Sequence, residues 1–309
     1  MARHDIIVIG ASAGGVGTLT QLVAQFHQDL QAVVLVVMHL SPRSRSYLPE
    51  ILGRAGPLPA LHPEDGAAIE CGRIYVAPPD YHLVVERDHV HLGTGPKEQH
   101  QRPCVNVTLR SAAQAYGERV AGVILTGALD DGTAGLWEVK QRGGVAVVQS
   151  PEEAICPSMP LSALREMEID YTVRIADMGA LLTRLASAEG PPRTEINRPP
   201  EDPILTDLTC PECRGTIWEV PQGVGTEFRC RVGHTYSARA MLAEHYAAQE
   251  KALYAAVVAL EEDVSLGNRL AGRLDPDLAA QLRRRVRDRH TEVESLRRLL
   301  RERRPFLLD

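Results

Sequence analysis

Three residue types able to do chemistry together stand at the ends of apolar runs. Ser12 follows the run from Asp5 to Gly10 inside a glycine-rich stretch, Gly10-Ala11-Ser12-Ala13-Gly14-Gly15. His39 lies in the last two residues of Ala32 to Leu40 (AVVLVVMHL), and Asp130-Asp131 come shortly after Val120 to Thr126 (VAGVILT). A serine hydroxyl is a poor nucleophile unless a base lies within hydrogen-bond reach. An imidazole serves as that base when a carboxylate fixes its tautomer, so the set suits acyl transfer. A second set is spaced for metal: Cys210-Pro211-Glu212-Cys213, then sixteen residues, then Cys230 and His234 with three residues between them. A C-x2-C knuckle with a C-x3-H return gives the four ligands of a closed, structural zinc ribbon.

The glycine-rich stretch has competing readings. As a dinucleotide fingerprint, G-x-G-x-x-G, it fits at Gly10 and Gly15, but Ser12 replaces the middle glycine where pyrophosphate needs close backbone approach. The acid expected about 20 residues on to bind ribose is also missing. As G-x-S-x-G it is a nucleophile elbow, a serine on a sharp strand-to-helix turn. A third reading makes Ser12 a helix cap and His39 an ordinary strand-end residue. Asp130-Asp131 carry the same ambiguity, because acids suit a helix start; one can cap while the other orients His39.

Positioning these groups requires strands and helices in alternation. Strand runs at Asp5 to Gly10, Ala32 to Leu40, Gly72 to Pro78, Val120 to Thr126 and Val145 to Gln149 alternate with helical spacing, as in Val16, Leu19, Leu22, Val23 and Phe26. The fold class expected is α/β: a doubly wound, mostly parallel sheet, with an antiparallel hairpin from His82 to Leu92 at its edge. Working groups in such sheets gather at the carboxyl ends of strands, where Ser12, His39 and Asp130 or Asp131 all fall. Ser187 to Asp207 is rich in Pro, Glu and Arg and reads as a linker. The expected organisation is a catalytic domain over 1–188, a linker over 189–207, a zinc ribbon over 208–236 and an α-helical hairpin over 237–309. The linker is expected to leave ribbon and catalytic domain independent. In the second hairpin helix Leu278, Leu282, Val286, Val293, Leu296 and Leu300 form one stripe, and Glu294 is placed to pair with Arg298.

With 44% hydrophobic but only 4% aromatic residues, the core must be aliphatic. Residues 283–304 hold ten arginines against four acids, a local +6 that leaves −12 elsewhere in a chain of net −6. That balance excludes the main body as a nucleic-acid binder, and the arginine run reads as a solvated helix face. The longest apolar run, Ala32 to Met38, is far short of the roughly 20 residues of a membrane span, so no membrane insertion is expected. Six cysteines, three of them at metal spacing, point to a cytoplasmic chain without disulfides.

The ordered motifs IGASAGG, VVMHLSP, GRIYVAPPDYHL, Arg102-Pro103, LTGALDDGTAGL and GGVAVVQS with PSMP resemble the chemotaxis protein-glutamate methylesterase (CheB-type) catalytic domain, over residues 5–185. The resemblance implies Ser12 as nucleophile, His39 as base and Asp131 as the orienting acid. It implies hydrolysis of glutamyl methyl esters on chemoreceptors, with glutamine deamidation as a related activity and methylated chemoreceptors as partners. The helix-start N–H groups around Ala13 and Gly14 are candidates for the oxyanion hole, and His82 and Arg102 for the substrate groove. Departures are Ala13 for a usual Thr, Ala128 for Met, and Cys104 and Asn106 for Ser and Asp. A family receiver domain would precede the esterase; with the first strand at residue 5, gating by phosphorylation in cis is not expected. The helical hairpin is expected to cover the site, to recruit a partner or to form a homodimer. The rival reading is a non-catalytic scaffold on a retired esterase fold.

Overall fold

Ile6 to Ala11 is buried at every position because strand β1 lies in the interior of a seven-stranded parallel sheet in the computed structural model of the protein. The structure describes residues 4–41, 45–187, 202–221 and 225–303. The elements of the α/β layer are β1 (Ile6–Ala11), α1 (Gly15–Val23), β2 (Val33–Met38), α2 (Leu48–Ala55), β3 (Ala60–Leu61), β4 (Ala67–Ala68) and β5 (Arg73–Val76). They continue with β6 (His82–Glu86), β7 (His89–Gly93), α3 (Val105–Tyr116), β8 (Val120–Ile124), α4 (Thr133–Gln141), β9 (Val145–Gln149), α5 (Ser158–Glu166), β10 (Tyr171–Val173) and α6 (Ile175–Ser187).

The strand order β10-β9-β8-β1-β2-β5-β3 sets β1 between β2 and β8, with Ala11 opposite Met38 and Gly10 opposite Ile124. Alternate residues of β1 feed two cores. Ile7 and Ile9 meet α1, α2 and α6 through Leu19, Leu22, Leu52 and Leu182, while Ile6 and Val8 face α3, α4 and α5 through Leu109, Leu136 and Met159. Each such side chain, fully buried, contributes about 1.5–3 kcal/mol. Covering both faces is what permits strands without polar alternation. The β6–β7 hairpin is antiparallel as expected, but it joins β4 in a separate three-stranded sheet and is not an edge of the central one. Leu83, Val85 and Val90 explain this, because they pack into the core around α3.

The ribbon is a four-stranded antiparallel sheet of β11 (Ile204–Thr209), β12 (Thr216–Pro221), β13 (Thr226–Cys230) and β14 (Thr235–Ser237). Its first strand starts inside the stretch expected to be linker; residues 188–201 of that stretch lie outside the described residues. The expected independence of the ribbon is also corrected: residues 1–240 form one compact unit. Backbone pairing joins Gln99 N–H to the Thr235 carbonyl at 2.7 Å, and Lys97 bridges to Glu212 at 3.0 Å.

The second unit, residues 241–309, consists of most of α7 (Ala238–Ala271) together with α8 (Pro276–Glu302). The two helices run antiparallel, with Arg297 on Glu261 and Arg289 on Asp263, and Val286 packs over Gly267. In the second, Val293 is buried but Leu278 is exposed, and Ala279 takes its place on the inner face. Arg297, not Arg298, pairs with Glu294. Among the described residues no helix is long and apolar enough to cross a membrane.

Candidate active site

Ser12 leaves the end of β1 in a turn tied to the end of β8. Its N–H donates to the Thr126 carbonyl at 2.9 Å, and the Thr126 hydroxyl donates to the Ala13 carbonyl at 2.9 Å. Gly127 lies against Ser12 so closely that a Cβ there would sit 2.9 Å from Ser12 Cβ and 2.0 Å from Met159 Sδ. Gly10 meets a similar demand, since a Cβ there would fall 2.3 Å from a Val105 methyl. These glycines let helices and strands approach one another, so the stretch needs no phosphate to account for it. The capping reading also falls, because the N-cap of α1 is the left-handed Gly14 with no side-chain cap.

The Ser12 side chain instead meets His39, which follows β2: Oγ lies 3.0 Å from Nδ1. On the far side of the ring, Nε2 lies 2.7 Å from Asp131 Oδ2. Asp131 is 2% exposed, and burial works against its charge. The His39 ring, the Val105 N–H and the Cys104 thiol outweigh that and hold its pKa below the ordinary carboxylate value. An ionised carboxylate can only accept, which assigns the ring proton to Nε2 and leaves the Nδ1 lone pair for the Ser12 hydroxyl. The ring nitrogen free to accept from Ser12 is thus Nδ1.

Asp131 sits at the start of α3. Val105 N–H donates to Oδ2 at 2.8 Å, Asn106 N–H to Oδ1 at 3.0 Å, and the Cys104 thiol to Oδ1 at 3.0 Å. Burial first, and then the Asp131 charge, push the Cys104 thiol well above its usual value, so it stays a proton donor. The Asn106 side chain accepts from Gly132 and Gly135 N–H at 3.0 and 2.8 Å, joining the starts of α3 and α4. Cys104 and Asn106 were visible in the sequence as departures near Arg102-Pro103; their grip on Asp131 and its turn needed the fold. Thr126 was likewise visible only as a strand end.

The remaining site residues divide. No protein acceptor takes the N–H groups of Ala13 or Gly14 among the described residues. His82 does not face an open groove: it is 4% exposed, burial lowers its pKa, and neutral Nε2–H donates to the Pro96 carbonyl at 3.0 Å. Arg102 is engaged too, donating to Asp80 Oδ1 and to the Thr94 and Gly95 carbonyls. Both residues hold the segment between β7 and α3.

Cys210, Cys213, Cys230 and His234 converge, their ligand atoms all within 4.8 Å of one another. Cys213 Sγ and Cys230 Sγ are 3.6 Å apart, and His234 Nδ1 lies 3.4 Å from Cys230 Sγ and 3.7 Å from Cys210 Sγ. A tetrahedron with Zn–S bonds of about 2.3 Å has S···S edges of about 3.8 Å, so the cluster fits a zinc ion closely. Glu212 Oε2 lies 3.6 Å from His234 Nε2, the ring nitrogen other than the one facing the cysteine sulfurs.

A doubly wound α/β domain with a hydrogen-bonded serine, histidine and buried carboxylate over its strand ends defines the serine-hydrolase class. The chain belongs to the CheB methylesterase family, whose profile matches residues 7–182. A Leptospira interrogans relative is 34% identical over 184 residues, covering 59% of this chain and 95% of the relative. The protein-glutamate methylesterase/protein-glutamine glutaminase 2 of Methanosarcina mazei is 33% identical over 190 residues, and the chain spans 52% of its length. The crystal structure of the Thermotoga maritima CheB methylesterase catalytic domain is similar at a TM-score of 0.57 and 31% identity, covering 60% of this chain and 99% of that one.

Proposed function

We propose that the chain hydrolyses glutamyl methyl esters on chemoreceptor-like proteins, with Ser12 as nucleophile, His39 as general base and Asp131 as its orienting acid. The observation that carries this is the relay of 3.0 Å from Ser12 to His39 and 2.7 Å from His39 to Asp131. Ser12 Oγ attacks the ester carbonyl as its proton passes to His39 Nδ1. The resulting oxyanion is stabilised by the N–H groups of Ala13 and Gly14. Collapse expels the methoxy group, which takes the Nδ1 proton and leaves as methanol. Water then attacks the acyl-serine, giving its proton to Nδ1, and the glutamate is released as Ser12 recovers its hydrogen. A glutamine side chain passes through the same steps with ammonia leaving, consistent with the double name of the Methanosarcina relative. Methanol release from methylated receptors, and fluorophosphonate labelling of the parent protein beside Ser12→Ala, test the reading. A parent that does neither is a scaffold, not an enzyme.

The ribbon is proposed to hold one structural zinc through Cys210, Cys213, Cys230 and His234. The ion, when bound, supplies a closed crosslink and no reaction chemistry. The helical unit exposes Leu266, Leu270 and Leu278, which supports its reading as a surface for a partner or a second copy. A cytoplasmic location follows from a receptor-modifying role. Truncation after residue 240 is expected to keep the rate on a small ester and lower it on the protein substrate.

A further inference from the structure

Strand β14 of the ribbon touches the two segments that position Asp131. The first is the turn Leu129-Asp130-Asp131-Gly132. Here Asp131 turns toward His39, while Asp130, buried beside it with Oδ1 unpartnered among the described residues, has its pKa raised by burial and lowered in part by the nearby side chain of Ser237, the last residue of β14. Asp130 caps no helix, since α4 starts from Gly132 without a side-chain cap. The second is the segment from Thr94 to Cys104, which leads directly into the residues that grip Asp131. Its backbone pairs with β14, Gln99 N–H donating to the Thr235 carbonyl at 2.7 Å, and Ser237 N–H donates to Gln99 Oε1 at 3.0 Å. Ribbon residue Gly233 packs on Pro96, whose carbonyl holds His82.

Both segments are strained. Gln99 and His100 are successive left-handed residues, at φ 51° and 63°, and Leu129 lies at φ 62°. Side chains adopt that region only at an energetic cost, and it persists only where surroundings over-determine it. For Gln99 and for the turn after Leu129, β14 is part of those surroundings.

We propose that β14 is a positioning element for the triad carboxylate, with Ser237 acting on Asp131 through Asp130, and Thr235 and Ser237 acting through Gln99. This rests on the reading of Ser12, His39 and Asp131 as the catalytic relay. A ribbon that follows the esterase domain in sequence is thereby part of the active site's support. A carboxylate displaced by about 1 Å costs on the order of 10²-fold in rate.

The test uses full-length protein and p-nitrophenyl acetate, well below every variant's melting temperature. Ser237→Ala should lower kcat ten- to a hundredfold with KM within twofold. Ser237→Thr, which keeps the hydroxyl for Asp130 and for the Ala240 N–H it also accepts from, should restore most of the loss. Asp130→Ala should match Ser237→Ala, and the double variant should be no slower than the slower single, since coupled residues are not additive. A folded Ser237→Ala with kcat within twofold of the parent overturns the proposal, as do losses that multiply in the double variant. If Ser237→Ala does not fold, Asp130→Ala decides alone: a parental kcat overturns the proposal. Failure of the catalytic reading is a separate result, a parent protein that neither turns over the ester nor labels at Ser12.

Discussion

Asp131→Asn keeps the shape of the side chain and changes only what its atoms can accept. Four donors converge on the carboxylate: His39 Nε2–H at 2.7 Å, Val105 N–H at 2.8 Å, and Asn106 N–H and the Cys104 thiol at 3.0 Å. An amide offers one oxygen against them. With that oxygen toward Asn106 and Cys104, the amide NH2 faces Val105 N–H and the imidazole. The ring escapes a donor–donor clash by moving its proton to Nδ1, where it points at the Ser12 hydroxyl and can no longer take its proton. A wrong-tautomer substitution of this kind lowers kcat by about 10⁴ in a serine-protease triad, which is roughly 5.5 kcal/mol at 1.36 kcal/mol per decade. Val105 N–H also loses a charge-assisted bond worth about 1.5–3 kcal/mol. For a unit of this size that is a fall of roughly 3–12 °C in Tm. Steady-state turnover of a p-nitrophenyl ester, labelling of Ser12 by a fluorophosphonate and a thermal melt read all three quantities. An Asp131→Asn protein within tenfold of the parental kcat would refute the assignment of the base nitrogen.

Gly127→Ala brings a methyl against Met159 and Ser12, and should cost about 10²-fold in kcat with little change in fold, measured by turnover beside circular dichroism. Metal analysis of reduced protein should find one zinc per chain, and Cys213→Ser should lose it; because β14 begins one residue after His234, small-ester kcat should fall too, and an unchanged kcat would mean the ribbon is only attached. Asp131 has a folded pKa below its ordinary 3.8, so its ionisation adds stability that is present above that pH and is lost as pH falls through the folded value. Denaturant titrations from pH 6 to pH 2 should show a shallower acid loss for Asp131→Asn than for the parent.

What the sequence disclosed follows the range of the interactions concerned. β1, β2, β8 and β9 were legible because a strand buried on both faces is an unbroken apolar run, and the site because its residues close those runs. Cys210, Cys213, Cys230 and His234 were legible by spacing, a property of the local chain. The docking of β14 was not, since Gln99 and Thr235 pair through backbone atoms that carry no side-chain signature. Nor was β11, whose Ile204 and Leu205 are both exposed and give no alternating pattern. His82 and Arg102 have side chains that suit a ligand, yet Pro96, Asp80, Thr94 and Gly95 occupy them. Asp130 and Asp131 are adjacent and chemically identical, and only the fold separates their partners.

The strand order has a consequence for how the chain is made. β1 pairs with β2 on one side and with β8 on the other, so its second edge stays open until residue 124 has left the ribosome. At about 5–20 residues per second, the wait from residue 38 is roughly 4–17 s. For that time the nascent chain presents an unpaired edge of Ile6, Ile7, Val8 and Ile9, each destined for full burial. An unpaired apolar edge is a template for association with other chains. The strand that leads into Ser12 thus waits longest during synthesis for its second partner.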